Sequence, residues 1–377
     1  MSKIWLSSPH MGEKERAYVE EAFSSNWIAP LGPNVTAFEQ QLAERLNVKG
    51  VLSLSSGSGA LHLSMDLLNV EPNSVVICQS FTFAASAFPI LYCGAKPVFV
   101  DSEADTWNMD PELLEEAIKD QKKKGRKISA IVVVHLYGMP AKMEQIMSIA
   151  GRYEIPVIED AAEALGSLYH GKPCGSMGKI GILSFNGNKI ITTSGGGALA
   201  SNDEEIIRRA RHISAQAKEP APFYLHKEVG YNYRLSNVCA GIGRGQMEVL
   251  TDRVERRREI FDFYTNELSE IEGIDFCKES DNIYSNRWLT TILLSEKLGS
   301  GMNDRIRIAL EEKEIETRPL WKPLHQQPVF QNCDHYNNGV SDRLFQNGLC
   351  LPSGSNLTEE NLKKVVHGIK DVLSARK

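Results

Sequence analysis

The sequence lacks any Cys-x-x-Cys pair; its seven cysteines stand singly at positions 78, 93, 174, 239, 277, 333 and 350. An odd, scattered set suggests neither a disulfide framework nor a zinc site. No apolar run approaches the ~18 residues of a membrane helix, and Met1 to Pro9 has no apolar stretch of leader length. An excess of positive charge is missing too. The net charge of −6 leaves no electrostatic reason to expect nucleic acid or an anionic membrane as partner. The basic runs Lys122–Lys127 and Arg253–Arg258 read as a solvated linker and an exposed helix face. Internal repeats and low-complexity segments are absent. What is present, 42% apolar and 24% charged residues, is the composition of an ordinary soluble enzyme, expected in the cytoplasm. A chain of 377 residues exceeds one hydrophobic core, so a large domain over 1–250 and a smaller one over 251–377 are expected.

Between residues 50 and 200 short apolar runs alternate with helical stretches. Val75–Cys78, Pro97–Val100, Ala130–Val134 and Ile155–Ile158 lack strict alternation, as strands covered on both faces do. Pro111–Ile118 reads as a helix capped by Asp110. Repetition of this order predicts an α/β fold with a mainly parallel sheet between helices. Further on, Glu204–Ala215 reads as a helix, Asn237–Arg258 as one long helix, and Arg287–Leu294 as a strand. Asp304–Lys313 and Glu359–Ala375 read as helices of a βαβ-like second unit.

Three segments carry chemistry. Ser55-Ser-Gly-Ser-Gly-Ala60 runs into an amphipathic helix, whose start offers free N–H groups and a positive dipole end to a phosphate, although serine and glycine there are also ordinary capping. Val157-Ile-Glu-Asp160 is an apolar strand ending on carboxylates, where ligands bind in α/β folds; Asp160 either caps the next segment or meets a positive group. Ser184-Phe-Asn-Gly-Asn-Lys189 places a lone lysine between apolar runs, shortly before Gly195-Gly-Gly197. Alone, Lys189 would pass for a surface lysine. Pyridoxal phosphate chemistry joins the last two elements: an amine binds the cofactor aldehyde, and a carboxylate keeps the pyridine nitrogen protonated so the ring can accept electrons. Two other glycine patterns carry no such weight. Gly241-Ile-Gly-Arg-Gly245 lies inside a helical stretch, and Gly178-Lys179 lacks the remainder of a phosphate-binding loop.

The order of these motifs, with Gly230-Tyr-Asn-Tyr-Arg-Leu-Ser-Asn237 after them, resembles the DegT/DnrJ/EryC1/StrS sugar aminotransferases over nearly the whole chain. Asn26-Trp-Ile-Ala29, Glu316-Thr-Arg-Pro-Leu-Trp321 and Leu351-Pro-Ser-Gly354 are similar to the branch acting on UDP-4-keto-6-deoxy-N-acetylglucosamine in the bacillosamine pathway. The resemblance implies a fold type I pyridoxal 5'-phosphate enzyme, with a mostly parallel seven-stranded sheet between helices and a smaller C-terminal α/β domain. It implies catalytic roles for Lys189, as the Schiff-base lysine, and for Asp160, against the pyridinium nitrogen. Phe83 would stack on the ring, while Gly57, Ser58, Gly59 and Ser184 would hold the phosphate. Asn232 or Arg234 would reach the phosphate of a neighbouring subunit, making a homodimer with active sites at the interface. Glu163 stands where relatives carry His or Gln, as a structural carboxylate or a cofactor contact. Asn26, Trp27, Ile28, Ala29, Arg318, Trp321 and His325 would line the nucleotide-sugar cleft, with domain packing as the other reading of both tryptophans and a packed or surface role as that of His325.

The implied reaction moves the amino group of L-glutamate to the C4 keto group of a nucleotide-linked 4-keto-6-deoxy sugar, UDP-2-acetamido-2,6-dideoxy-4-keto-hexose first. A dTDP- or GDP-linked keto-hexose is the nearest alternative, and a non-catalytic, cofactor-binding regulatory protein is another. Lys189 separates the chain from relatives that carry histidine there and act as dehydratases.

Overall fold

A computed structural model describes residues 3–375. The expectation of strands without alternation is met by a central sheet whose strands are buried along almost their whole length. In spatial order it runs Gly50–Leu54, Gly197–Ser201, Ile180–Ser184, Val157–Asp160, Ile128–Val134, Val75–Gln79, Lys96–Val100 and the two-residue strand His335–Tyr336. All neighbours are parallel except Gly197–Ser201, which is antiparallel to both flanking strands. The sheet thus has eight strands rather than the expected seven. The eighth comes from the C-terminal part of the chain, and two residues are too short for a periodicity to announce.

Helices cover both faces and build separate cores. One is centred on Leu52, Leu63, Cys78, Phe99 and Ile158, the others on Phe38, Leu42 and Leu183 and on Ile77, Val98, Ile118 and Val133. A parallel sheet must be covered this way because its crossover helices lie on its faces. A smaller sheet runs in the order Ile274–Phe276, Thr290–Leu294, Gly348–Leu351 and Arg318–Pro319. It is antiparallel throughout, not the βαβ-like arrangement read from the sequence. Helices Leu250–Leu268, Met302–Glu312 and Glu359–Ser374 pack on it through Ile260, Tyr264, Ile306, Leu310, Val365 and Ile369. The cores draw on both halves of the chain. Ile4 joins this second core and bridges Ile315, while Leu324 and Phe330 pack into the first.

The long helix expected over Asn237–Arg258 is broken at Val249 into Asn237–Glu248 and Leu250–Leu268. Val249 leaves helical geometry (φ −109°, ψ 6°). The glycines ahead of the break are a packing face. A Cβ on Gly245 would come within 2.6 Å of the Glu15 nitrogen, and one on Gly243 within 2.7 Å of Phe38. The Arg253–Arg258 run, expected to face solvent, departs from that at Arg257, which is 1% exposed. Among the described residues no helix is long and apolar enough to cross a membrane.

Gly181 shows how closely the central strands are approached. A Cβ there would stand 1.9 Å from the Gly175 carbonyl oxygen, a backbone atom that cannot swing away. Gly181→Ala is expected to cost about 1–3 kcal/mol. Chemical denaturation of wild type and variant measures this, and equal midpoints would refute it.

Candidate active site

Parallel strands end together, and their C-terminal ends open onto a cavity of about 280 Å³. The strand Val157–Asp160 carries Asp160 to its floor, where the side chain is buried. One carboxylate oxygen accepts from Ser86 Oγ at 2.7 Å, the other from the Ala162 amide at 3.2 Å. An ionised carboxylate oxygen accepts more than one hydrogen bond, so capacity remains for a donor arriving from the cavity. Burial raises the Asp160 carboxyl above its usual range, against the opposing pull of Ser86 and Ala162.

Lys189 reaches the same cavity from the loop after Ile180–Ser184. Its amide donates to the Asn186 carbonyl at 2.9 Å, closing a turn that projects the side chain inward. Nζ lies 3.4 Å from Glu163 Oε1 and 4.1 Å from the ring centre of Trp288. Glu163 is buried and takes the Tyr137 amide at 2.7 Å on its other oxygen. Its carboxyl is also raised by burial, which outweighs the lowering influence of Lys189 and the Tyr137 amide. The cavity therefore sets two buried carboxylates against one lysine amine, an environment that favours a further positive group.

Ser55, Ser56, Gly57 and Ser58 form the opposite wall at the start of helix Gly57–Leu67. Ser56 Oγ accepts from the Gly59 amide at 2.9 Å, so Ser56 is a cap and Gly59, itself buried, has its N–H engaged. The amides of Gly57 and Ser58 begin the helix, where N–H groups have no intrahelical partner. Gly195, Gly196 and Ser184 complete this wall. Close approach is required here, since a Cβ on Gly197 would come within 2.4 Å of the Gly57 nitrogen. Phe83, 61% exposed, and Trp321 stand in the lining with rings 6.3 Å apart.

Other residues expected at the site lie elsewhere in the single chain. Arg234 donates from Nη2 to Glu39 at 2.9 Å, inside its own chain, and does not line the cavity. Glu39 also accepts from Arg211 and from the Ser53 amide and hydroxyl, tying Arg234 to the strand that leads into the Ser55 wall. Asn232 is exposed. Asn26, Trp27, Ile28 and Ala29 form a surface segment whose Trp27 and Ala29 carbonyls accept from Asn237. Arg318 pairs with Glu316 at 2.9 Å beside a different hollow, together with Lys3 and Arg307. His325 bonds Ser80 Oγ at 2.7 Å and approaches Asp342 at 3.2 Å; it holds a turn rather than facing the cavity, and burial lowers its pKa. Ser86, Tyr137 and Trp288 belong to the site or its support and are missed by sequence reasoning. Ser86 lies soon after the aromatic Ser80–Phe83 segment, which is a faint signal. Trp288 comes from a segment distant in sequence and has none.

The residues present fit pyridoxal 5'-phosphate: a buried strand-end carboxylate for the ring nitrogen, an amine for the aldehyde, a glycine-lined helix start for the phosphate. A mostly parallel sheet carrying this set defines a pyridoxal phosphate-dependent transferase. The model of the DegT/DnrJ/EryC1/StrS aminotransferase family matches residues 9–370. EpsN of Bacillus subtilis strain 168, named as a pyridoxal phosphate-dependent aminotransferase, is 53% identical over 97% of this chain and 94% of its own. GDP-perosamine synthase of Escherichia coli O157:H7 is 36% identical over 99% and 100%. The pyridoxal phosphate form of the sugar aminotransferase Spr1654 from Streptococcus pneumoniae superposes with a TM-score of 0.91, at 25% identity and 99% coverage of both chains. The chain belongs to the DegT/DnrJ/EryC1/StrS aminotransferase family. It is a pyridoxal phosphate-dependent aminotransferase acting on nucleotide sugars.

The raised carboxyls have a consequence for the cofactor-free protein. Between the ordinary and the raised pKa of Asp160 and Glu163 the folded chain binds more protons than the unfolded one, so stability falls as pH rises through that interval. Asp160→Asn removes one of the two groups. Cofactor-free Asp160→Asn is expected to lose less stability than wild type as pH rises from acid to neutral. Thermal melts across that range test it, and parallel curves would count against buried ionisation at Asp160.

Proposed function

We propose that the protein transfers the amino group of L-glutamate to C4 of a nucleotide-linked 4-keto-6-deoxy sugar, UDP-2-acetamido-2,6-dideoxy-4-keto-hexose being the preferred substrate. The observation that carries the reading is the convergence of Lys189 and Asp160 on one cavity. When bound, the cofactor supplies an aldehyde that takes up the amino group and a ring that accepts electrons from the carbon losing its proton. Asp160, fixed by Ser86 and Ala162, holds a proton on the ring nitrogen. Lys189 takes the proton from Cα of the amino donor and, in the second half-reaction, delivers one to sugar C4. The amides of Gly57 and Ser58, with Ser184, hold the phosphate. Phe83 and Trp321 offer apolar faces to ring and substrate.

The homodimer is part of this proposal. Phe23, Trp27, Ile28 and Leu31 are large apolar side chains exposed within one short segment, and Asn232 is exposed on the single chain. A partner subunit would cover the former and receive the latter. The similarity to GDP-perosamine synthase favours a second reading, the same chemistry on a GDP-linked keto-hexose. A panel of UDP-, GDP- and dTDP-linked 4-keto sugars decides between them.

Lys189→Ala is expected to abolish the visible absorbance of covalently held cofactor and to lower turnover by at least ~100-fold. Asp160→Asn should slow the half-reaction with glutamate while leaving the cofactor bound. Retained turnover in Lys189→Ala would reject the assignment, and an unchanged half-reaction in Asp160→Asn would mean that another group protonates the ring.

A further inference from the structure

Arg257 is among the largest fully buried side chains of the molecule, and its hydrogen bonds go to a carbonyl and a hydroxyl rather than to a carboxylate. Nη1 donates to the Trp288 carbonyl and Nη2 to Ser7 Oγ at 2.9 Å, while Nε is buried without a partner among the described residues. Burial, reinforced by neighbouring Arg253, lowers its pKa to about 9. A guanidinium hidden from water without a counter-ion is costly, and such groups persist where they serve something else.

Both of its acceptors lead to the catalytic lysine. Ser7 Oγ, the acceptor of Nη2, donates in turn to the Asn188 carbonyl at 2.7 Å. Trp288 Nε1 donates to that same carbonyl, also at 2.7 Å. Asn188 immediately precedes Lys189, and the centre of the Trp288 ring lies 4.1 Å from Lys189 Nζ. The guanidinium thus holds the backbone of the lysine loop and the ring on which the amine rests. Trp288 is also approached under strain. Arg287, just before it, has φ +50°, a left-handed conformation that is unfavourable for a non-glycine residue. Asn286, before that, is anchored to the Glu163 and Leu165 carbonyls at 3.0 and 2.9 Å.

We propose that Arg257 is a positioning residue of the transamination site, holding Trp288 and, through Ser7, the Asn188 carbonyl so that the Lys189 amine is presented to the cofactor in one geometry. Its action is indirect, since Arg257 does not line the cavity. The same clamp draws the N-terminal segment onto the active-site loop, as Pro9 lies beside Gly187.

The test uses the full-length holoenzyme with Ser7→Ala and Arg257→Lys. Ser7→Ala removes one link without burying a new group, so it remains informative if the arginine variant fails to fold. Three quantities are read per bound cofactor: visible circular dichroism, the rate of the amino-donor half-reaction, and KM for the nucleotide sugar. In Ser7→Ala the dichroism is expected to fall and the half-reaction to slow by about tenfold, because small misplacements of a catalytic group are costly. KM should stay within about twofold. Arg257→Lys, where folded, should show the larger loss, because one ammonium cannot span both acceptors. A lower melting temperature with dichroism and half-reaction rate per bound cofactor unchanged in Ser7→Ala would overturn the proposal. Wild type is the control: absence of its visible cofactor signal would strike at the cofactor assignment instead.

Discussion

The site depends on one constraint, a carboxylate buried at the C-terminal end of a strand. Asp160 sits where a parallel sheet leaves strand ends open and helices shut out water on either side. Burial there opposes the charge, so the protein supplies a hydroxyl and an amide as partial compensation and leaves the rest to whatever cation enters.

The second requirement is a mobile amine in a fixed place. Lysine has a flexible four-carbon stem, so its position must come from surroundings rather than from its own stiffness. Glu163 opposes the charge, the Trp288 ring supports the end, and the turn from Asn186 to Lys189 fixes the root. Glu163 is itself held by the amide of Tyr137, a non-glycine residue at φ +56° whose hydroxyl accepts the Trp321 amide. Tyr137 and Arg287, both in left-handed backbone geometry, thus each precede or carry a contact that supports the Lys189 amine. Strain of this kind persists only where surrounding contacts over-determine the conformation.

Much of this was legible in the sequence because the relevant signals are local. Strand runs without alternation, the capped helix after Ser56, Asp160 at a strand end and the lysine before three glycines are each contained within a few residues. The structure brings Ser56, Asp160 and Lys189 to one cavity. What escaped was non-local. His335–Tyr336 becomes a strand only because Lys96–Val100 offers an edge, and the break at Val249 occurs without a proline or glycine at that position to announce it. Likeness of segment points to Arg318 and His325 as cleft residues, yet Glu316 and Ser80 hold them outside the cavity.

Arg257 shows why the most informative departure from expectation concerns charge. A run of basic residues on a helix normally marks a solvated face, and Arg256 and Arg258 do pair with Glu259 and Glu279. Helical periodicity, however, turns one member of any such run toward the core. Here the inward position lies three residues after Val254 and three before Ile260, on the buried stripe of Leu250–Leu268. An apolar residue would satisfy that stripe at lower cost. Arginine instead places two N–H groups there, and both lead, through Ser7 and Trp288, to the carbonyl of the residue preceding Lys189.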